Sequence, residues 1–141
     1  MLRKRLIGVV TVRRGWGVQS IGYHRYLPLG RPETLVENLD RWGADEILVQ
    51  CIDRSVSDAG PEFDLLERLG KIGISTPLIY AGGLRHAADA VHAVKLGADR
   101  VAVDAMLRNC PEQLAQISKE LGSQALIASL PVRLEAGVLR W

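Results

Sequence analysis

The chain has 141 residues, 18 of them basic and 16 acidic, for a formal charge of +2. Such a length suits one domain burying roughly 70% of its unfolded surface, and so even a charge balance gives no reason to expect a nucleic-acid partner. No apolar run reaches the ~18 residues that a membrane span needs, and the charged opening lacks a signal peptide's apolar stretch, so a cytoplasmic protein is expected. The early basic residues Arg3, Lys4, Arg5, Arg13 and Arg14 read as a solvated face. Cys51 and Cys110 fit no metal spacing, and Cys51, inside an apolar run, reads as a buried thiol in a reducing compartment. Neither a metal nor a cofactor is expected.

Leu6 to Val12 is β-branched and reads as a first strand. Residues 13–31 read as a long loop, carrying Gly15, Gly17, Gly22, Pro28 and Gly30 beside Trp16, Tyr23, His24, Arg25 and Tyr26; the last four read as a packed lid or as side chains that bind a sugar or nucleotide. Pro32 opens a helix whose inward positions are Leu35, Val36, Leu39 and Trp42, and which ends at Gly43. A second strand (Ile47–Ile52), a polar loop (53–60) and a second helix opening at Pro61, with Phe63, Leu65, Leu66 and Leu69 inward, follow. Then come a strand (Pro77–Tyr80), a helix (about His86 to Leu96), a strand (Val101–Val103), a helix from Pro111 to Leu121 and a fifth strand (Ala125–Leu130). The tail, 132–141, alternates apolar and charged residues around Gly137 and reads as a β-hairpin.

Strands alternating with helices make a parallel α/β sheet. The expected architecture is a single domain, with (βα)4 over residues 1–124 and a fifth strand plus hairpin over 125–141. An internal echo supports it. Gly43-Ala44-Asp45-Glu46-Ile47-Leu48-Val49 returns as Gly97-Ala98-Asp99-Arg100-Val101-Ala102-Val103. Each copy turns on glycine out of a helix and into an apolar strand, as stacked βα units require.

Met1-Leu2-Arg3-Lys4-Arg5-Leu6-Ile7, the two copies of the echo, Ser55, Ala81-Gly82-Gly83-Leu84 and Gly122-Ser123-Gln124-Ala125 together resemble the cyclase subunit of imidazole glycerol phosphate synthase. The resemblance implies a (βα)8 barrel of histidine biosynthesis, which takes ammonia from a glutaminase partner for a ring-closing lyase reaction. It extends over nearly the whole chain but only over the first half of the barrel plus strand 5. The stretch Gln19 to Gly30, with Asn38 to Gly43, is more similar to a divergent branch linked to surface-polysaccharide biosynthesis, where the nitrogen goes to an amidino sugar.

The resemblance implies a catalytic carboxylate at the end of strand 1 and another at the end of strand 5, because ring closure needs proton transfers. Those positions hold Thr11 and Pro131, and the family's lysine after strand 1 is Gln19. No cyclase activity is therefore expected. For phosphate binding the resemblance points to Gly82 and Gly83 after strand 3 and to Asp104 and Ala105 after strand 4, where a carboxylate would repel a phosphate; a tight strand-to-helix turn at the glycines, and helix capping or a salt bridge at Asp104, are the plainer readings. At the opposite end it implies a ring of charges closing the barrel floor near the ammonia mouth, here Arg5, Glu46 and Arg100. Same-phase positions on parallel strands point the same way, so these are expected to form ion pairs.

Weaker candidates are an acidic pair of Asp53 and Asp104 at the active face, with turn chemistry as the plainer reading. His86 and His92, on one helix, read as surface residues. Half a barrel would leave sheet edges open and an inner face wet (Val9, Leu48, Gln50, Ile79, Val103), so a homo-oligomer is expected. A glutaminase subunit and a phosphorylated small molecule are the other partners considered.

Overall fold

A computed structural model describes residues 4–140; Met1-Leu2-Arg3 and Trp141, invoked at the two ends above, lie outside the described residues. In chain order the strands and helices are β1 (Ile7–Arg13), β2 (Trp16–Ile21), β3 (Arg25–Gly30), α1 (Pro32–Arg41), β4 (Glu46–Cys51), α2 (Phe63–Gly70), β5 (Leu78–Ala81), α3 (Ala87–Lys95), β6 (Arg100–Val103), α4 (Ala105–Asn109), α5 (Pro111–Leu121), β7 (Leu126–Ala128), β8 (Arg133–Glu135) and β9 (Val138–Arg140). A 3-10 turn, Ser123–Ala125, takes the start expected for the fifth strand. Helix α2 begins at Phe63 rather than Pro61, which is buried just before it.

The main sheet runs β3-β2-β1-β4-β5-β6-β7. From β1 onward its neighbours pair in parallel, each joined through a helical crossover. One face packs on the helices. Val10, Val12, Ile47, Val49, Cys51, Leu78, Tyr80, Val101 and Val103 share a core with Leu65, Leu66 and Leu69 of α2 and Ile117 of α5. The opposite face carries Ile7, Val9 and Thr11 beside Glu46, Leu48 and Gln50, then Ile79, Ala81, Arg100 and Ala102. None of these belongs to the helix-packed core, and Val9 is 54% exposed. The architecture is thus an α/β half-barrel with a partly exposed inner face, open at Ile7, Val9 and Gln50 and buried at Glu46, Ile79 and Ala102. Val103 is a correction: it lies an odd number of residues from Arg100, so it turns to the helices instead of inward. Ile79 does face inward but is buried between its neighbours.

Residues 13–31 also depart from expectation, because two more strands form there. A two-residue turn at Arg14 and Gly15, both with positive φ, reverses β1 into β2. A second turn through Gly22 and Tyr23, again both positive, leads to β3. Paired positive φ values match the right-handed twist of hairpin strands. The hairpin holds β1 only through Val12 and Arg13, so the lower part of β1 is bonded on one side only. Pro28 is tolerated because β3 is an edge strand.

The echo has a repeated mechanical role. Ala44 N–H bonds Leu39 O and Gly43 N–H bonds Asp40 O; Ala98 N–H bonds Ala93 O and Gly97 N–H bonds Val94 O. Both copies thus end a helix in the same glycine-dependent cap. The aspartate of each then grips the neighbouring strand in both directions. Asp45 N–H donates to Leu6 O while its carboxylate accepts Leu6 N–H; Asp99 treats Leu78 in the same way. These paired bonds fix where β4 starts against β1, and β6 against β5. Asp40 makes a related clamp, its Oδ1 accepting the amide and hydroxyl of both Ser75 and Thr76, and these bonds hold its pKa below the usual carboxylate range.

Two surface details complete the fold. Trp42, expected inward, is exposed, since it follows the last turn of α1 and its backbone rather than its ring engages the helix. The tail hairpin β8–β9 forms a sheet of its own, with Leu134 and Leu139 paired and about 70% exposed.

Candidate functional site

The C-terminal ends of β1 and β4 open into a cleft of about 560 Å³ between the β2–β3 hairpin and the loop after β4. Its lining includes Thr11, Arg13, Tyr26, Gln50, Asp53 and Ser57. Arg13 follows Thr11 by two residues and so projects on the same side of β1. Sequence reasoning placed Arg13 on a solvated face. It is instead half-buried, its guanidinium 4.4 Å from the centre of the Tyr26 ring. The signal was the strand's period of two, carried one step past Thr11. Tyr26 is fixed in turn by its hydroxyl, which donates to Tyr23 O at 2.8 Å. Asp53 accepts Arg14 N–H through Oδ2 at 2.9 Å, so one of its oxygens is committed to the hairpin turn.

Of the aromatic loop cluster, Tyr23 and Tyr26 line the cleft; His24 does not, its Nδ1 bonding Gly22 O on the surface. Gln19 points from an exposed position on β2. Asp53 and Asp104 lie in different depressions. Asp104 shares one with Ala105, Arg108, Asn109 and Pro131, and its Oδ1 accepts Ala105 N–H at 2.6 Å, capping α4. Thr11 and Pro131 are likewise in separate depressions.

Gly82 and Gly83 both take positive φ, and a Cβ on either would stand 2.4 Å from Cys51 O or 2.6 Å from Gly60 O. Close backbone packing therefore accounts for both glycines. The amides around the start of α3 are already bonded. Asp89 Oδ2 accepts Arg85 and His86 N–H, and Gln113 Oε1 accepts Ala87 N–H. Below them, Cys51 and Tyr80 are buried together. Burial pushes the thiol up to about 11 and the phenol higher still, while the Tyr80 oxygen accepts Glu62 N–H.

At the other end of the sheet the structure joins all three charged residues of the expected floor. Glu46, 4% exposed, bonds Arg5 Nη1 at 2.6 Å and Arg100 Nη2 at 2.7 Å. Burial works against the ionised carboxylate, but the bonds and charges of the two arginines outweigh it and hold its pKa below the ordinary value. His86 and His92 are exposed, and His92 stacks on Phe63. Among the described residues, no group of three His, Cys, Asp or Glu side chains could hold a metal ion, and no helix is long and apolar enough to cross a membrane.

Comparison with known proteins agrees with this geometry. The chain is 29% identical over 133 residues to the imidazole glycerol phosphate synthase subunit HisF of Natranaerobius thermophilus, covering 94% of this chain and 53% of that protein. Identity to the subunit of the same name from Solibacter usitatus is 32%, covering 94% of this chain and 52% of that protein. For the HisF subunit of Salinispora tropica it is 33%, with 94% and 51% covered. The chain thus spans about half the length of the curated relatives it matches, in keeping with a sheet that is half a barrel. The model of the family described as "Histidine biosynthesis protein" matches residues 5–139, and the chain belongs to that family.

Proposed function

We propose that this chain is a cyclase-subunit-like half-barrel that supplies scaffold and cleft but not the acid–base chemistry of ring closure. The observation that carries this reading is at the rim. Thr11 stands at the end of β1 and Pro131 follows β7, where the resemblance calls for carboxylates. A hydroxyl and a ring nitrogen without N–H do not replace two groups that exchange protons near neutral pH. The Arg5–Glu46–Arg100 cluster suits the floor of a barrel, beside the mouth through which ammonia from a glutaminase partner would enter. In the surface-polysaccharide branch that nitrogen would pass to an amidino sugar, a step that needs the remaining half of the barrel.

A phosphate-binding role has less support, because the amides of Arg85, His86, Ala87 and Ala105 are committed to Asp89, Gln113 and Asp104. Self-assembly is the stronger second reading. The exposed part of the inner face around Ile7 and Val9, the half-bonded edge of β1 and the exposed hairpin of Leu134 and Leu139 are surfaces that a second copy could cover. The deciding assay for the first reading is turnover of the synthase's nucleotide substrate with ammonia. No turnover is expected; activity that co-purifies with the chain and disappears in Thr11→Val would overturn the proposal.

A further inference from the structure

We propose that the cleft beneath the β2–β3 hairpin binds a small hydroxylated carboxylic acid, such as a sugar acid, with Arg13 holding its carboxylate. The inference rests on the reading of this rim as a non-cyclase site, but its test does not depend on turnover. Arg13 is the starting point. Among the described residues its guanidinium has no carboxylate partner and lies over the face of Tyr26. A half-buried guanidinium held over a ring has lost rotamer freedom while keeping N–H donors unused. Those donors form a fork matched to a carboxylate.

The rest of the lining narrows the ligand. Thr11 and Ser20 offer hydroxyls, Ser57 an acceptor oxygen whose proton goes to Asp53 O, Gln50 an amide, and Asp53 the carboxylate oxygen not bonded to Arg14, all groups that pair with hydroxyls. Ile52, Val56 and the tyrosine rings supply apolar wall. The volume, about 560 Å³, is in the range of small-molecule sites. Arg13 and Asp53 cancel in charge, so a monoanion is tolerated where a phosphate dianion would leave two uncompensated charges. Neither oxygen-rich wall nor lone cation presents the several converging amides that phosphate sites use.

The test is NMR titration of the 141-residue chain with glucuronate, glucose and inorganic phosphate as probes. Glucuronate is expected to shift resonances of Arg13, Tyr26 and Ser57 saturably, with glucose and phosphate at least tenfold weaker. Arg13→Gln should weaken glucuronate about tenfold or more, as loss of a charge-assisted hydrogen bond implies. Should that variant unfold, Asp53→Asn, which keeps the oxygen that accepts Arg14 N–H, carries the same test and should alter hydroxyl-dependent affinity. The proposal is overturned by no saturable shifts with glucuronate, by shifts located away from the cleft, or by phosphate binding as tightly as glucuronate. Cyclase turnover, by contrast, would refute the proposed function and leave this result to stand or fall by itself.

Discussion

Replacing Glu46 by Gln removes the carboxylate that two arginines share while keeping its shape. Opposite charges about 4 Å apart gain about 4 kcal/mol at an effective dielectric near 20, before desolvation offsets much of it. The two arginines are not equivalent. Arg5 is 63% exposed, so its bridge is screened and worth about 1 kcal/mol or less. Arg100 is 28% exposed, and breaking its bond should cost about 2–3 kcal/mol, at or below the lower end for a buried pair. Urea unfolding at pH 7 and fixed protein concentration should therefore rank Arg5→Ala mildest, with Arg100→Ala and Glu46→Gln both clearly destabilised. The pH dependence follows with a definite sign. The folded pKa of Glu46 lies below its ordinary value of 4.5, so its stabilisation is complete above about that pH and is lost as the pH falls through the folded value. The gap between wild type and Glu46→Gln should close in acid. A neutral Glu46→Gln, or Arg5→Ala costing more than Arg100→Ala, would show that the shared carboxylate does not hold this end of the sheet together.

Asp99→Ala should cost about 1–2 kcal/mol and speed hydrogen exchange at the Leu78 amide, since a part-buried N–H loses its acceptor; Asp45→Ala should do the same, more weakly, at the exposed Leu6. Gly82→Ala and Gly83→Ala should each destabilise by about 2–4 kcal/mol in thermal unfolding, from a positive φ and a clash with backbone oxygen. With a thiol reagent at pH 8, half-buried Cys110 should react first, and Cys51, pushed up to about 11 by burial, only as the protein unfolds.

The parallel order of strands and helices was legible because each βα unit announces itself twice, in an apolar β-branched run and in a proline or glycine at the helix boundary. The echo named the Gly43 and Gly97 turns, and the same-phase argument placed Glu46 and Arg100 on one face. What the alternation did not convey was phase along the whole strand. Composition alone reads Val103 as inward though it differs in parity from Arg100, and reads Arg13 as solvated though it shares parity with Thr11. The β2–β3 hairpin was hidden by its glycines and by turns at Arg14-Gly15 and Gly22-Tyr23, which lack the usual Asn-Gly or Asp-Gly signature. Trp42 shows that helical periodicity cannot be extended past the last hydrogen-bonded turn. Asp104 and Asp89 cap the starts of α4 and α3, local contacts of the kind that helix-boundary residues announce, whereas Gln113 reaches Ala87 N–H from a different helix, and no local pattern reveals such a contact.

We propose that this half-barrel closes by pairing with a second copy of itself, which covers the exposed part of its inner face. Light scattering of the 141-residue chain at micromolar concentration decides whether it does. A dimer or larger assembly is expected, dissociating when Val9 and Leu134 are both replaced by charged residues. A stable monomer with its secondary structure intact would contradict the claim.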